Sequence, residues 1–569
     1  MKALKRFIGV ILVSLGMIPA LHAQNRNTQR TLEDMMLDGV AAYNLGDYAK
    51  AHALFGAVTD VNPLNDAAFY YLGLCDFYMN DMKAAEAELR EAVSLDPGNY
   101  WYKDRLAVLY SIKGEDEKTV EIYESLLKDF PKKTDIHYSL VNLYAKLGRA
   151  EKLLETLDAI ETIQGTSEAT VTTRYDVLMH MGRSDDAFRA LESYNEEFAS
   201  AHILAMMGDA KLQEFEDSLA LRYYNEALSY EPDFAPALLG RADVHRMRRE
   251  YKEYFKDVRS FMENDDVLVE AKGQYLETLM NHGDPQFLSA NAAQIDSLFD
   301  GLADKAPADT AVINLAGMYF YRSGNKEKSK DYFRRAWEIN RESIAAAATY
   351  IQVLGLSEDW QTLYDAAGTF AEAFPYEPAF YEYRAMSAYN LERYDDVIAA
   401  YKAIQKQFPK DPDVLVQSYS GIGDVMHMKG NSKEAFKAYE KALAIDPKYV
   451  PVLNNYAYYL SMEGRKLKKA YNMSKITVEL EPDNATYLDT FGWILYLRGQ
   501  ALEAKPFFKH AMLYGGKDSV TILDHYAEVL YVLGEYDLAK VYWNQAKQKN
   551  DGEIPDLEEK IARRLEAVK

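Results

Sequence analysis

The chain has 569 residues, of which 48% are hydrophobic and 27% are charged, and it contains a single cysteine. This composition predicts a folded body with a buried core and excludes a disordered chain, and one cysteine excludes an internal disulfide or a redox pair. The formal net charge of −23 argues against binding to nucleic acid or to anionic membrane surfaces.

The first 23 residues have the order of features that a secretory signal peptide requires. Three basic residues precede an apolar run over residues 7–18, and the small residue Ala23 stands before Gln24. The alternative, a membrane anchor, needs roughly 20 apolar residues, and this run is shorter. We therefore expect an exported protein, located in the periplasm or at the outer membrane, with no transmembrane segment in the mature chain.

Prolines follow the ends of predicted helices at a fixed period. Inside each period, apolar residues recur at helical spacing in two segments, which a glycine or a polar pair separates. Such a period indicates a repeated supersecondary unit, and the pattern predicts a helical hairpin. The first three prolines of the series stand 34 residues apart, and its members are Pro63, Pro97, Pro131, Pro232, Pro375, Pro409, Pro447 and Pro482.

The residues inside each period resemble the tetratricopeptide repeat, in which Leu-Gly follows a large residue and a later alanine precedes a large apolar residue and a proline. The segments "FYYLGLCDF", "AAEAEL" and "AVSLDP" show this order between residues 69 and 97. The stretch "YSGIGDVMHMKGNSKEAFKAYEKALAIDP", from Tyr419 to Pro447, shows it again. The resemblance implies an all-α fold, a right-handed superhelical solenoid of about 15 helical hairpins with a C-terminal capping helix.

The register of these repeats divides the chain into segments. Residues 1–23 are the signal peptide, 32–268 the N-terminal repeats, 310–553 the C-terminal repeats and 554–569 the capping helix. Residues 269–309 form a degenerate repeat or a hinge, because helix breakers interrupt the pattern there. Repeats are expected to begin near residues 32, 66, 100, 134, 168, 201, 235, 269, 310, 344, 378, 416, 451, 485 and 520.

Motifs for catalysis are missing from the sequence. None of the ten histidines stands in an H-E-x-x-H or another close metal-binding spacing, and neither G-x-S-x-G nor the phosphate-binding G-x-x-x-x-G-K-[ST] occurs. The repeats also leave no room for a separate catalytic domain. We therefore expect no enzymatic activity, no cofactor and no metal, and a function carried by the protein's surface.

The resemblance implies a concave groove lined by positions 2, 5, 9 and 12 of the first helix in each repeat. Aromatic rings flanked by carboxylates and an amide suit a partner protein or peptide with some positive charge. The alternative, that the tryptophan and several tyrosines only fill space between repeats, stays open. In repeats twelve to fifteen, which we call the C-terminal groove, these positions hold Asp424, His427, Asn455, Tyr459, Asp489, Trp493, Tyr496, Asp524, Glu528 and Tyr531.

A second, less polar candidate is the groove of the first repeats. The sequence places no charge near its centre. Co-chaperone members of the family clamp a partner's C-terminal carboxylate with lysine and asparagine, but position 9 is Val40 in repeat one and Leu74 in repeat two. That clamp is therefore not expected. The aromatic residues of this candidate groove are Tyr43, Tyr70, Tyr71, Phe77 and Trp101.

These features predict a non-catalytic protein–protein interaction scaffold in the bacterial envelope, which binds one or more envelope proteins or peptides. The segment "LNNYAYYL…LEPDNATYLDTFGWILYLRG" resembles a run found in many bacterial envelope tetratricopeptide proteins that assemble or maintain cell-surface machinery. The alternative is a regulatory or substrate-delivery subunit of a separate envelope enzyme or secretion complex.

We predict that the mature chain begins at Gln24, because the basic segment, the short apolar run and Ala23 occur in the order that a signal peptidase reads. Mass spectrometry of the protein isolated from the cell envelope measures this N-terminus. An envelope-located chain that retains Met1 contradicts the prediction of export by a cleaved signal.

Overall fold

The structure is a computed structural model that describes residue 29, residues 31–464 and residues 466–566. Every regular element in these residues is a helix, and they contain no β-strand. The predicted signal peptide and its cleavage site lie outside the described residues, as do the last three residues of the predicted capping segment. The chain divides into two compact units, with the boundary between Val267 and Leu268.

The first unit consists of seven consecutive helical hairpins. In each hairpin an odd-numbered helix comes first and the following even-numbered helix packs against it. The helices are α1 (31–44), α2 (Tyr48–Val61), α3 (Asp66–Tyr78), α4 (Met82–Leu95), α5 (Tyr100–Ile112), α6 (Asp116–Asp129), α7 (Thr134–Lys146), α8 (Ala150–Gln164), α9 (Glu168–His180), α10 (Ser184–Phe198), α11 (Ala201–Gln213), α12 (Asp217–Tyr230), α13 (Ala235–Met247) and α14 (Tyr251–Glu263).

The second unit contains eight hairpins and a terminal helix. In its first hairpin the short α16 is inserted between the two long helices α15 and α17, and a 3-10 turn at Gly516–Asp518 precedes α30. The helices are α15 (Val269–His282), α16 (Pro285–Ala290), α17 (Ala292–Lys305), α18 (Thr310–Arg322), α19 (Lys326–Ile339), α20 (Ile344–Leu356), α21 (Trp360–Ala373), α22 (Pro378–Asn390), α23 (Tyr394–Gln407), α24 (Pro412–Met428), α25 (Ser432–Ile445), α26 (Val450–Met462), α27 (Leu467–Leu480), α28 (Ala485–Leu497), α29 (Ala501–Ala511), α30 (Val520–Val532), α31 (Tyr536–Lys549) and α32 (Leu557–Glu566).

The helix bounds confirm the predicted all-α solenoid of stacked helical hairpins within each unit. The first helices begin at the expected repeat positions to within a few residues. The largest difference is α24, which begins at Pro412 rather than at 416. The Asp411 side chain accepts a hydrogen bond of 3.2 Å from the Val414 amide, and a proline at the first helical position has no amide proton to lose. These two residues start the helix early.

A residue with positive φ stands between the two helices of most hairpins. In "AYNLGDY", Gly46 has a φ of 79°, and Asp47 then caps α2 by accepting a hydrogen bond of 3.2 Å from the Lys50 amide. In "AYNLERY", Glu392 takes the same place with a φ of 57°. Glycine adopts this conformation freely, whereas a Cβ makes it costly by roughly 1–2 kcal/mol. The turn therefore accepts other residues, but glycine suits it best.

Glycines on first helices receive large side chains from second helices. A Cβ built on Gly423 would lie 2.3 Å from the Tyr439 ring, and one built on Gly492 would lie 2.7 Å from the Phe508 ring. Since real Cβ atoms do not approach so closely, only glycine lets the two helices pack at this distance. In six of these contacts the large residue stands 16 positions after the glycine. Such pairs are Gly39 with Phe55, Gly73 with Leu89, Gly208 with Tyr224, Gly317 with Phe333, Gly423 with Tyr439, and Gly492 with Phe508.

We predict that Gly423→Ala lowers the free energy of unfolding by about 1–3 kcal/mol, because the new methyl group displaces the Tyr439 ring. The matched control is Gly301→Ala in α17, where a Cβ would meet no atom within 4 Å. The control should be neutral or stabilise the helix by up to about 1 kcal/mol. Urea unfolding followed by circular dichroism measures both variants, and equal effects would show that the close packing is not needed.

Candidate functional site

An open cavity lies on the first three hairpins of the first unit, and we call it the N-terminal cavity. Its volume is about 240 Å³. Four of the five aromatic residues that the sequence assigns to the N-terminal groove line it, whereas Trp101 does not and is 59% exposed. The lining residues are Tyr43, Tyr70, Tyr71, Leu74, Phe77, Tyr78, Leu89, Arg105 and Val108.

Three successive first helices and one second helix supply these side chains. α1 contributes Tyr43, α3 contributes the residues from Tyr70 to Tyr78, and α5 contributes Arg105 and Val108. Leu89 of α4 is almost fully buried, because it packs against the glycine of α3 sixteen residues before it. The pairing of α3 with α4 therefore fixes one apolar wall of the cavity.

Contacts between aromatic rings hold the tyrosines of the cavity in place. The ring of Tyr43 meets that of Tyr71 edge-on at a centroid distance of 5.6 Å, and Tyr78 stacks on Tyr48 at 4.6 Å. Phe77 meets Tyr78 edge-on at 5.4 Å. Edge-to-face and stacked pairs at such distances each contribute roughly 0.5–1.5 kcal/mol. The cavity walls are thus ordered before any partner arrives.

Arg105 gives the cavity a positive charge that the sequence analysis missed. Arg105 is one of the residues that line the cavity, so the cavity carries a charged side chain at its edge. Arg105 stands at position 6 of its repeat, outside the four positions used to select groove residues. Burial raises the pKa of Tyr70, and the charge of Arg105 opposes that rise. Burial also raises the pKa of Tyr43, so both phenols remain protonated donors.

The C-terminal groove is built differently, and its first four predicted residues contact one another. Asp424 accepts hydrogen bonds from the Tyr439 hydroxyl at 2.6 Å and from the Asn455 amide at 3.0 Å. The ring of His427 stacks on that of Tyr459 at a centroid distance of 3.5 Å. Burial raises the pKa of Asp424 and lowers that of His427. Both shifts arise because partial burial of each side chain disfavours its charged form.

The next three predicted residues surround a buried histidine that the sequence analysis did not select. Asp489 is 5% exposed, and its carboxylate oxygen lies 2.9 Å from Nδ1 of His525. The His525 ring stacks on Trp493 at 3.8 Å, and Trp493 stacks on Tyr496 at 4.8 Å. Trp493 and Tyr496 are half-buried and pack against the hydrophobic cluster of the last hairpins.

The last three predicted residues are covered by the terminal helix α32. Asp524 and Glu528 are almost fully buried. Lys560 forms ion pairs with both, at 2.6 Å and 3.1 Å, and Arg564 pairs with Glu528 at 2.8 Å. Arg564 also lies over the ring of Tyr531, 5.2 Å from its centroid. These carboxylates are therefore neutralised within the chain.

All ten predicted residues of the C-terminal groove thus have a half-buried or buried setting, and they form three neighbouring clusters. Whether they bind a partner stays a prediction. Two of the ion pairs of α32, Lys560 with Asp524 and Arg564 with Glu528, span 36 positions, close to one repeat. This spacing between acidic and basic residues is the sequence feature that could have predicted these ion pairs. The described residues contain no group of three or more histidine, cysteine, aspartate or glutamate side chains placed to hold a metal ion.

Models of the tetratricopeptide-repeat family match residues 38–100 in the first unit, and residues 416–449 and 438–470 in the second. These three segments therefore carry the pattern of tetratricopeptide repeats. The first match covers the tyrosines of the N-terminal cavity, and the other two cover Asp424 and Asn455 of the C-terminal groove. Tetratricopeptide folds are typically non-catalytic scaffolds that bind other proteins. In the part of the chain that the structure describes, none of the helices has the length and apolar character needed to cross a membrane.

Three curated proteins illustrate the similarity. The chain is 34% identical over 88 residues to cellulose synthase operon protein C of Pseudomonas fluorescens, which is 16% of this chain and 7% of that protein. It is 24% identical over 143 residues to the BBSome complex member BBS4 of Bos taurus, covering 25% and 27% of the two chains. It is 21% identical over 204 residues to the TPR repeat-containing protein MJ1428 of Methanocaldococcus jannaschii, covering 36% and 30%. The chain spans less than a third of the length of each.

Two solved structures align with most of the chain at low similarity. One is Naa15/Naa10 bound to HypK-THB, with a TM-score of 0.35, 12% identity and coverage of 94% of this chain and 96% of that chain. The other is the APC/C hetero-tetramer Cut9-Hcn1, with a TM-score of 0.31, 14% identity and the same coverage. At these TM-scores the alignments say nothing about function.

We predict that Lys560→Ala weakens the terminal hairpin by about 1–3 kcal/mol, because it leaves two buried carboxylates without their shared partner. Hydrogen–deuterium exchange of peptides from residues 520–566 should accelerate in this variant. The control is Arg563→Ala, since the described contact of Arg563 is one weak bond to the Glu559 carbonyl. If both variants exchange at the wild-type rate, α32 does not stabilise the end of the solenoid.

Proposed function

We propose that this tetratricopeptide-repeat chain is a non-catalytic scaffold of the bacterial cell envelope that binds one or more partner proteins. The observation that carries the proposal is the N-terminal cavity, an open aromatic concavity on three successive first helices. Pre-ordered aromatic side chains in a concave surface lower the entropy cost of binding and favour an interaction hot spot. Tetratricopeptide scaffolds generally use such surfaces to bind proteins.

Export is the part of the proposal that concerns location. It is supported by the basic and apolar segments before Ala23, which have the order of a cleaved signal peptide. We propose that the mature chain works in the periplasm or at the outer membrane. A lone cysteine, Cys75, agrees with a location where free thiols are readily oxidised, because it is buried and apart from any disulfide partner.

The C-terminal groove is a second proposed contact surface of the same scaffold. Asp424 is half-buried and Asp489 is buried, and the rings of Tyr459 and Trp493 stack on the neighbouring His427 and His525. Because their carboxylates already accept internal hydrogen bonds, a partner would gain mainly from contact with the half-buried rings.

We predict that a photo-crosslinking residue in a groove captures a discrete partner protein in living cells. The positions are Trp101, which is exposed on α5 four residues before Arg105 of the N-terminal cavity, and Tyr496 in the C-terminal groove. The control is Tyr376, which is 79% exposed in the turn between α21 and α22. Mass spectrometry of the crosslinked bands identifies the partner.

The outcomes separate the candidate functions. Capture of structural envelope proteins from a groove position, and not from Tyr376, supports the scaffold. Capture of an enzyme or a secretion component supports instead a regulatory or substrate-delivery subunit. If neither groove position captures any protein while the control chain is exported and folded, the proposed function is wrong.

A further inference from the structure

We propose that the N-terminal cavity anchors an internal segment of the partner protein that presents one large apolar side chain next to an acidic residue. The proposal rests on the function proposed above and names the chemistry of the partner at one site. It follows from the size of the cavity, from its walls and from the charge of Arg105.

The size of the cavity indicates a side chain rather than a cofactor. Its volume is about 240 Å³, and pockets for small molecules and cofactors commonly measure roughly 300–1,000 Å³. A cavity of this size holds one large side chain. A partner segment that lies across the concave surface can therefore place a single anchor residue in it.

The walls of the cavity select an apolar anchor. Leu74 and Leu89 are buried along one side, and the rings of Tyr71 and Phe77 stand beside them. Tyr78 is 53% exposed and supplies an aromatic face at the rim. An aromatic or branched aliphatic side chain would bury its surface against these groups, and the ring faces favour offset or edge-on contact with another ring.

Arg105 selects an acidic neighbour for that anchor. Arg105 interacts with the Tyr70 hydroxyl inside the cavity, and within the described residues its ion pair is to Asp104, at 3.9 Å, which is too long for a hydrogen bond. The guanidinium carries five donors, so it can bind a further carboxylate in a bidentate manner. Its side chain is 44% exposed and thus accessible from the groove.

The same residues argue against a basic segment and against a chain-terminal carboxylate. A lysine or arginine of the partner would be repelled by Arg105 at the cavity, although the protein as a whole is acidic. Position 9 of the first three repeats is occupied by Val40, Leu74 and Val108, which offer no side-chain donor. A terminal carboxylate would then find no lysine or asparagine clamp at these positions. We therefore assign the contact to an aspartate or glutamate side chain within the segment.

The test uses the full chain and a fluorescein-labelled octapeptide whose ends are acetylated and amidated. The peptide contains one tryptophan flanked by two aspartates in a glycine–serine background. Three matched peptides serve as comparisons. In the first, lysines replace the aspartates, and in the second, alanine replaces the tryptophan. In the third, serines replace the aspartates and the peptide ends at the tryptophan with a free C-terminal carboxylate. Fluorescence polarisation up to millimolar protein concentration measures binding.

Two variants of the protein locate the site. Arg105→Gln removes the cation and should weaken binding of the aspartate peptide at least about tenfold. Val108→Trp fills the cavity with a larger side chain and should abolish binding. The matched control is Arg90→Gln in α4, an exposed arginine outside the cavity, which should leave binding unchanged. Circular dichroism and thermal unfolding check that all three variants keep the fold.

The aspartate peptide should bind at least about tenfold more tightly than each of the other three peptides. The inference is overturned if the aspartate peptide does not bind, if the lysine or free-carboxylate peptide binds as well, or if Arg105→Gln and Val108→Trp bind like the wild type. Failure of this inference is distinguishable from failure of the scaffold function. If both cavity variants still crosslink the cellular partner through Tyr496, the scaffold stands and the cavity is not its anchor site.

Discussion

The close approach of the two helices within each hairpin is the constraint on which the rest of the structure depends. A glycine on the first helix makes room for a large side chain sixteen residues later, as in Gly73 with Leu89 and Gly423 with Tyr439. α20 and α21 reverse the sizes, since Ile351 and Ala367 are both fully buried in one cluster. What the fold requires is therefore a small residue on one helix opposite a large residue on the other, rather than a glycine at a fixed place.

This packing also decides the polarity of the concave surface. When the large residue of the second helix is a tyrosine, its hydroxyl crosses the layer and donates to a carboxylate on the first helix. Tyr224 reaches Asp209 and Tyr439 reaches Asp424, each at 2.6 Å. An acidic residue in the groove is then a partner for the core rather than a free charge. When the large residue is Leu89, no such bond forms, and the adjoining concave surface stays open.

The sequence predicted the helices, their pairing and the start of nearly every repeat, because a 34-residue period and helical spacing are local signals. The sequence indicated which positions face the concave surface, but not whether the side chains at those positions are buried or hydrogen-bonded. The partners of Asp489 and Glu528 are one repeat away, on α30 and α32, so their burial depends on contacts that no single repeat contains. Arg105 was missed for a related reason. The groove residues were selected at positions 2, 5, 9 and 12 of each repeat, whereas Arg105 stands at position 6, at the edge of the groove, and still lines the cavity.

The two candidate surfaces therefore differ in what they can offer a partner. In the C-terminal groove, the carboxylates are held by Tyr439, His525 and the basic residues of α32, so a basic partner would have to displace an existing contact to gain a new one. Replacing one satisfied ion pair by another yields little net free energy. In the N-terminal cavity, an apolar side chain breaks no ion pair when it is buried, and Arg105 has donors beyond the one that Tyr70 uses. A partner therefore gains more binding free energy at the N-terminal cavity than in the C-terminal groove. The cavity walls lack the carboxylates on which the prediction of the C-terminal groove was based.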